Sequence, residues 1–144
     1  MLALLAQTRL FRAAVCSAGI VDLVSFYSSF WNGFNFRWAW AERGQGRLGG
    51  IPWEKRQAYI RTSPFFFLDR VTAPVLIVAG TDVEEDARQA KQAFGALRRL
   101  DRTVELRLYH GEGHTLSTWS AESTRDLATR VLAWFERHLK PRGE

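Results

Sequence analysis

The run Pro74-Val-Leu-Ile-Val-Ala-Gly-Thr-Asp82 limits the possible folds more than any other stretch. Val75 to Val78 are unbroken apolar, mostly β-branched residues bounded by Pro74 and Gly80. That pattern suits a strand covered on both faces, which is the parallel strand of an α/β protein. Strands of this kind present function at their carboxyl ends, so the residues just past Gly80 are where side chains for chemistry are expected. From Asp86 to Leu100, Ala90, Ala93, Phe94, Leu97 and Leu100 recur at helical spacing, with Arg98, Arg99 and Arg102 at the end where a helix dipole favours cations. Val104, Leu106 and Leu108 then alternate with Glu105, Arg107 and Tyr109, the period of a strand with one partly wet face. The order is strand, crossover helix, strand, and the second strand ends in Tyr-His-Gly-Glu-Gly-His114.

Elsewhere the signals are looser. Leu2 to Ala6 read as the end of a helix with no capping residue before it, which suggests a truncated element. Phe11 to Ala18 reads as a buried strand holding the chain's one cysteine, Cys16. A buried structural thiol is the default there, and one cysteine supports no disulfide framework. From Asp22 to Leu68 the pattern is irregular and punctuated by Gly33, Gly44, Gly46, Gly49, Gly50 and Pro52. Between Phe26 and Phe67 lie 13 of the 19 aromatic residues. Most are read as filling a core beneath a loop-rich insertion. Phe26, Tyr27 and Phe30, nearest the end of the preceding strand, are the candidates for a substrate pocket wall. A last helical stripe, Leu127, Val131, Leu132, Trp134, Phe135 and Leu139, runs from about Ser120 to His138 and ends in a polar tail.

Charge excludes little. The formal charge of +5 is spread through helices and loops with no nucleic-acid motif, so solvated faces are preferred to a nucleic-acid surface. The opening Met-Leu-Ala-Leu-Leu-Ala-Gln-Thr-Arg is too short to span a bilayer and has no basic segment ahead of its apolar run. No membrane association is therefore expected. A soluble, cytoplasmic setting is favoured over a secreted one, although nothing in the chain fixes it. No metal-ligand or phosphate-cradling motif is present, and no cofactor is expected.

Several blocks in order carry a resemblance. They are Gly49-Gly50-Ile51-Pro52-Trp53-Glu54, Tyr59 ahead of Ser63-Pro64, Thr72-Ala73-Pro74 leading into the apolar strand, Gly80-Thr81-Asp82, Gly111-Glu112-Gly113-His114, and the final amphipathic helix. Together they resemble the C-terminal catalytic domain of the prolyl oligopeptidase family, which includes dipeptidyl peptidases and acylaminoacyl peptidases. The resemblance implies the C-terminal portion of an α/β-hydrolase fold, with parallel strands and crossover helices but without the N-terminal strands. It makes residues 1–144 one partial catalytic domain. Residues 1–21 would form a helix end and a strand, 22–68 an aromatic-rich insertion, and 69–144 a strand-helix-strand-helix unit carrying an acid and a histidine.

The implied activity is serine-type proteolysis of short peptides by a Ser-Asp-His triad in that chain order. His114 matches the catalytic histidine, since an imidazole can take the serine proton and return it to the leaving amine. His110 and His138 lack that context. For the acid, Asp82, Glu84, Glu85 and Asp86 all qualify by location. The family pattern counted strictly lands on Val83, and a loop shortened by one residue restores Asp82, the first choice, with Asp86 second. Some of these acids could instead simply favour a helix N-terminus.

The nucleophile is missing. The chain contains no Gly-x-Ser-x-Gly, and Ser17 in Cys16-Ser17-Ala18-Gly19 reads as a polar residue at a strand end. In the resembling family the elbow immediately precedes a helix like Met-Leu-Ala-Leu-Leu-Ala-Gln-Thr, which places the serine upstream of Met1. The expected partners are a peptide substrate and the N-terminal remainder of the same polypeptide, without which turnover is not expected and one strand edge would lie open. Two alternatives stay open: an esterase or dienelactone-hydrolase-like enzyme sharing the Asp and His, and a non-catalytic hydrolase-fold remnant acting as a binding module.

Overall fold

The computed structural model describes residues 1–31 and 35–140; Gly33 and the tail from Pro141 lie outside the described residues. Strand β4 (Val75–Gly80) is buried at all its positions. Its side chains divide between two cores. Val75, Ile77 and Ala79 face one with Leu68, Val71, Ala90, Ala93 and Leu97, while Leu76 and Val78 face another with Tyr109, Trp119 and Trp134. Each fully buried Val, Leu or Ile contributes roughly 1.5–3 kcal/mol, so β4 is the strand on which both layers depend. It pairs in parallel with β1 (Ala14–Ser17) on one side and β5 (Val104–Tyr109) on the other, giving the order β1-β4-β5. The doubly covered parallel strand read from the sequence is therefore the centre of the sheet.

Helix α5 (Glu84–Arg99) crosses from β4 to β5, and α6 (Ala121–Leu139) covers the opposite face. Glu105, on the wet face of β5, pairs with Arg137 of α6 at 2.7 Å. Helix α1 (Leu2–Leu5) has no side-chain cap and buries Leu2 and Leu5 on the α5 side of the sheet. Cys16 is buried and free, and burial pushes its thiol up. Two expectations need correcting. The first strand begins at Ala14, not Phe11: Leu10 is 85% and Phe11 38% exposed, because they precede the segment paired with β4. In α6, Leu127, Val131, Trp134 and Phe135 meet the sheet, but Leu132 is 66% exposed. One residue past Val131 is a rotation of about 100°, which carries Leu132 off the buried stripe.

The aromatic segment is more ordered than its irregular pattern suggested. It holds α2 (Leu23–Tyr27), a two-stranded antiparallel hairpin of β2 (Phe30–Trp31) and β3 (Asn35–Phe36), α3 (Trp38–Glu42), α4 (Arg56–Thr62) and a 3-10 helix over Pro64–Arg70. Leu23, Phe26, Tyr27, Ala41, Leu48 and Tyr59 form its own core. Buried polar groups tie this segment to the sheet. The Gln89 side-chain oxygen accepts from the backbone N–H groups of Val21 (2.8 Å) and Asp22 (2.9 Å), and its amide donates to Glu85 (2.8 Å). Asp22 caps α2 by accepting from the Val24 N–H, and Ser63 Oγ accepts from the Leu23 N–H while donating to the Tyr59 carbonyl. Three donors at the start of α2, the N–H groups of Asp22, Leu23 and Val24, are thus taken by the side chains of Gln89, Ser63 and Asp22. Among the described residues no helix is long and apolar enough to cross a membrane.

At the carboxyl ends of β4 and β5 the backbones interlock. The Thr81 N–H donates to the Tyr109 carbonyl at 3.0 Å and the Asp82 N–H to the Glu112 carbonyl at 3.1 Å. A Cβ on Gly80 would collide with the Glu112 carbonyl and with the Gly113 backbone. Glycine is required here by close approach. Gly80→Ala should therefore lower stability by about 1–3 kcal/mol, seen as a reduced denaturant midpoint in the natural full-length protein. Gln89→Leu orphans two buried N–H groups and should cost roughly 2–4 kcal/mol by the same measurement. The tyrosines give a pH dependence. A hydrogen bond to Glu42, then burial, pushes Tyr27 up to about 12; burial, then a hydrogen bond to Asp126, pushes Tyr109 up to about 12. Unfolded tyrosine ionises near pH ~10, so their contribution is whole below that pH and is lost as pH rises towards the folded value. The denaturant midpoint should fall across that window, and Tyr27→Phe or Tyr109→Phe should flatten the fall.

Candidate active site

The turn that follows β5 carries His114. Gly111 takes a positive φ of 77°, a conformation that favours glycine, and turns the chain back over the tip of β4. Side chains from the start of α6 then hold the turn. Glu112 is buried and its carboxylate accepts from the Ser120 N–H (3.1 Å) and from Ser120 Oγ (2.7 Å). The Ser120 hydroxyl, and then Ser123, hold the Glu112 carboxyl below its ordinary range. Trp119 Nε1 donates to the Gly113 carbonyl at 2.8 Å. With the Asp82 N–H on the Glu112 carbonyl, the loop is fixed from β4 and from the start of α6 at once.

So placed, His114 Nδ1 lies 2.7 Å from Asp86 Oδ2. The Asp86 side chain is 9% exposed and the imidazole 52%. A carboxylate accepts and does not donate, so this geometry puts the ring proton on Nδ1 and leaves Nε2 as the basic nitrogen. A buried carboxylate that fixes the tautomer of a half-open imidazole can steady an imidazolium while the ring moves a proton.

The carboxylate brought to His114 is Asp86, the second choice from the sequence, and not Asp82. The reason is where α5 begins. Its first turn is Glu84, Glu85 and Asp86, so Asp86 sits within the helix with its side chain turned inward, while Asp82 is exposed on the connecting turn and contributes its backbone N–H to the Glu112 lock. Glu85 is spent on a bidentate pair with Arg88 (2.6 and 2.8 Å) and on Gln89. Glu84 is exposed in the same first turn, where an acid suits the dipole. His110 lies near Thr81, its Nδ1 3.5 Å from Thr81 Oγ1. His138 packs against Trp134 with ring centroids 4.3 Å apart, and burial pulls its pKa down. Ser17 is the last residue of β1, paired with Val78.

The three pocket candidates separate. Phe26 is 2% exposed and closed off beneath Trp40, edge to face at 5.2 Å. Tyr27 is buried, its hydroxyl donating to Glu42 at 2.6 Å, and one side of it lines a hollow. Phe30 is 54% exposed and stacks on Phe36 at 4.5 Å. Sequence reasoning missed Arg37, which follows β3. Its half-buried guanidinium lies 5.0 Å over the Phe26 ring. Burial pulls its pKa down, while the charges of Asp86 and Glu85 push it up. That is the signature of a cation within electrostatic reach of the buried acid. No local motif marks Arg37, because its relation to Asp86 exists only in the folded chain.

The family model of the prolyl oligopeptidase family matches residues 1–142. Dipeptidyl-peptidase 5 of Porphyromonas endodontalis is 32% identical over 137 residues, covering 90% of this chain and 18% of that protein. Among solved structures, a puromycin-hydrolyzing peptidase of Mycobacterium tuberculosis superposes with a TM-score of 0.78 at 28% identity, covering 99% of this chain and 21% of the other. An acylaminoacyl peptidase of Pyrococcus horikoshii has a TM-score of 0.75 at 23% identity, over 97% of this chain and 22% of that one, and shows the shared fold. The chain spans about a fifth of the length of these relatives. An α/β architecture of parallel strands, whose solved relatives are α/β-hydrolase peptidases, and a family match along almost the whole sequence lead to one statement: this chain belongs to the prolyl oligopeptidase family of serine peptidases.

Proposed function

We propose that this chain supplies the acid and base of a serine-peptidase site that cleaves short peptides, with His114 as general base and acid and Asp86 as the residue that orients it. The observation that carries this reading is the 2.7 Å contact of His114 Nδ1 with buried Asp86 at the carboxyl ends of two adjacent parallel strands. In the reaction, Nε2 of His114 takes the proton of an attacking serine hydroxyl. The resulting imidazolium is held by Asp86, and the same proton passes to the leaving amine. Asp86 keeps its charge throughout.

The 144 residues hold no Gly-x-Ser-x-Gly elbow. In this proposal the serine, and the elbow N–H that helps to bind the oxyanion, come from polypeptide upstream of Met1, and the 144 residues alone do not turn over. Asp82 has a structural part: its N–H braces the histidine loop. Phe30 offers open apolar surface to a substrate side chain, whereas Phe26 supports the hairpin cation from below.

The test is a comparison of carboxylate variants in the active full-length protein. Asp86→Asn should lower kcat by about 10³–10⁴-fold with little change in KM, because it favours the wrong tautomer of His114. Asp82→Asn should stay within about three-fold of wild type, since it removes no group from the reaction. Loss of turnover in Asp82→Asn with retention in Asp86→Asn would reverse the assignment.

A further inference from the structure

A hollow of about 500 Å³ opens between α2, α4 and the turn at Pro52-Trp53. That volume lies in the range of small-ligand sites, roughly 300–1,000 Å³. None of its lining residues belongs to the Asp86–His114 pair. Its walls include Tyr27, Trp53, Tyr59, Ile60 and Phe66. The two tyrosines are oriented from behind. Tyr27 gives its hydroxyl proton to Glu42 at 2.6 Å and Tyr59 gives its own to the Gly50 carbonyl at 3.0 Å, and the two rings stand edge to face at 5.7 Å. With both hydroxyls engaged and both rings buried, the tyrosines back the hollow and give it no hydrogen-bonding proton.

Apolar surface is left open around it. Trp53 is 73%, Phe66 46% and Val24 43% exposed, and all three line the same hollow. Single exposed hydrophobics are ordinary, but several gathered round one concavity mark a binding surface. Trp53 touches Tyr27 edge to face at 6.2 Å, so its indole is steadied but still largely uncovered. Arg56 is the one charged residue in the lining, and among the described residues it has no ion-pair partner.

We propose that this hollow binds a ligand that joins an aromatic or bulky apolar group to a single carboxylate. The ring enters between Trp53 and Phe66, the exposed aromatic side chains of the lining, where edge and face contacts add to the area buried. The carboxylate meets the Arg56 guanidinium, whose planar fork matches two carboxylate oxygens. One cation opposite an apolar wall fits a monoanion, since more highly charged anions need more donors than this lining offers.

The probes are 3-phenylpropionate and its neutral amide, titrated calorimetrically into the full-length protein. The acid should bind about five-fold more tightly than the amide. Arg56→Gln should remove that margin while leaving the affinity for the amide unchanged, and Trp53→Ala should weaken both probes about ten-fold. Both substituted side chains are exposed, so each variant should unfold at the wild-type midpoint, which separates lost binding from lost fold. Equal affinity for acid and amide, a margin that survives Arg56→Gln, or absence of binding by either probe would overturn the proposal. None of these readouts depends on turnover, so the outcome is independent of the peptidase assignment.

Discussion

Everything at the candidate site depends on how closely the ends of two parallel strands approach. Register alone brings Gly80 opposite Tyr109. The absence of a side chain at Gly80 then lets the 110–113 backbone fold over β4 until the Asp82 N–H reaches the Glu112 carbonyl. From that contact the arrangement extends both ways. On one side the turn into α5 is short enough that Asp86 enters the first helical turn facing inward. On the other, Glu112 and Gly113 are gripped by Ser120 and Trp119, so His114 leaves the loop in one direction. The 2.7 Å pair is the result of two rigid elements meeting, and neither partner would hold it from a free loop.

Much of this was legible because it is local. The β4 run, the α5 stripe and the alternation of β5 are periodic signals, and they survive folding because the layers they imply are present. The acid was harder. Counting along a short loop cannot say where a helix begins, and two residues decide whether a carboxylate points to solvent or to the core. Asp82 lies two residues before Glu84, the first residue of α5, and Asp86 two residues after it. Gln89 and Arg37 left no signal at all. Gln89 sits 67 positions from the Asp22 N–H that it satisfies, and in a helix it reads as one more polar residue. The hairpin strands are two residues each, below the length at which alternation can be seen. Leu132 shows the reverse error, an apolar residue assigned to a face that its helical angle leaves uncovered.

The resemblance blocks acquire physical meaning in the fold. Tyr59 and Ser63 are fully buried, and their hydroxyls meet the Gly50 carbonyl and the Leu23 N–H at the start of α2, which ties the aromatic segment together internally. The Gly49 to Glu54 turn brings Trp53 to the rim of the hollow beside α4. Glu112, within the histidine motif, serves the loop and leaves the imidazole to Asp86. Conformation-setting residues and chemistry-bearing residues thus alternate within single short motifs.

The central claim is that Asp86, and no other acid of the loop, fixes the proton of His114 on Nδ1. Nitrogen-correlated proton NMR on the full-length protein tests it most directly, because a hydrogen-bonded imidazole N–H gives a resonance far downfield that can be assigned through His114→Gln. The account predicts that this signal is present in wild type and in Asp82→Ala and disappears in Asp86→Ala. A signal that persists without Asp86, or that vanishes only without Asp82, would contradict it.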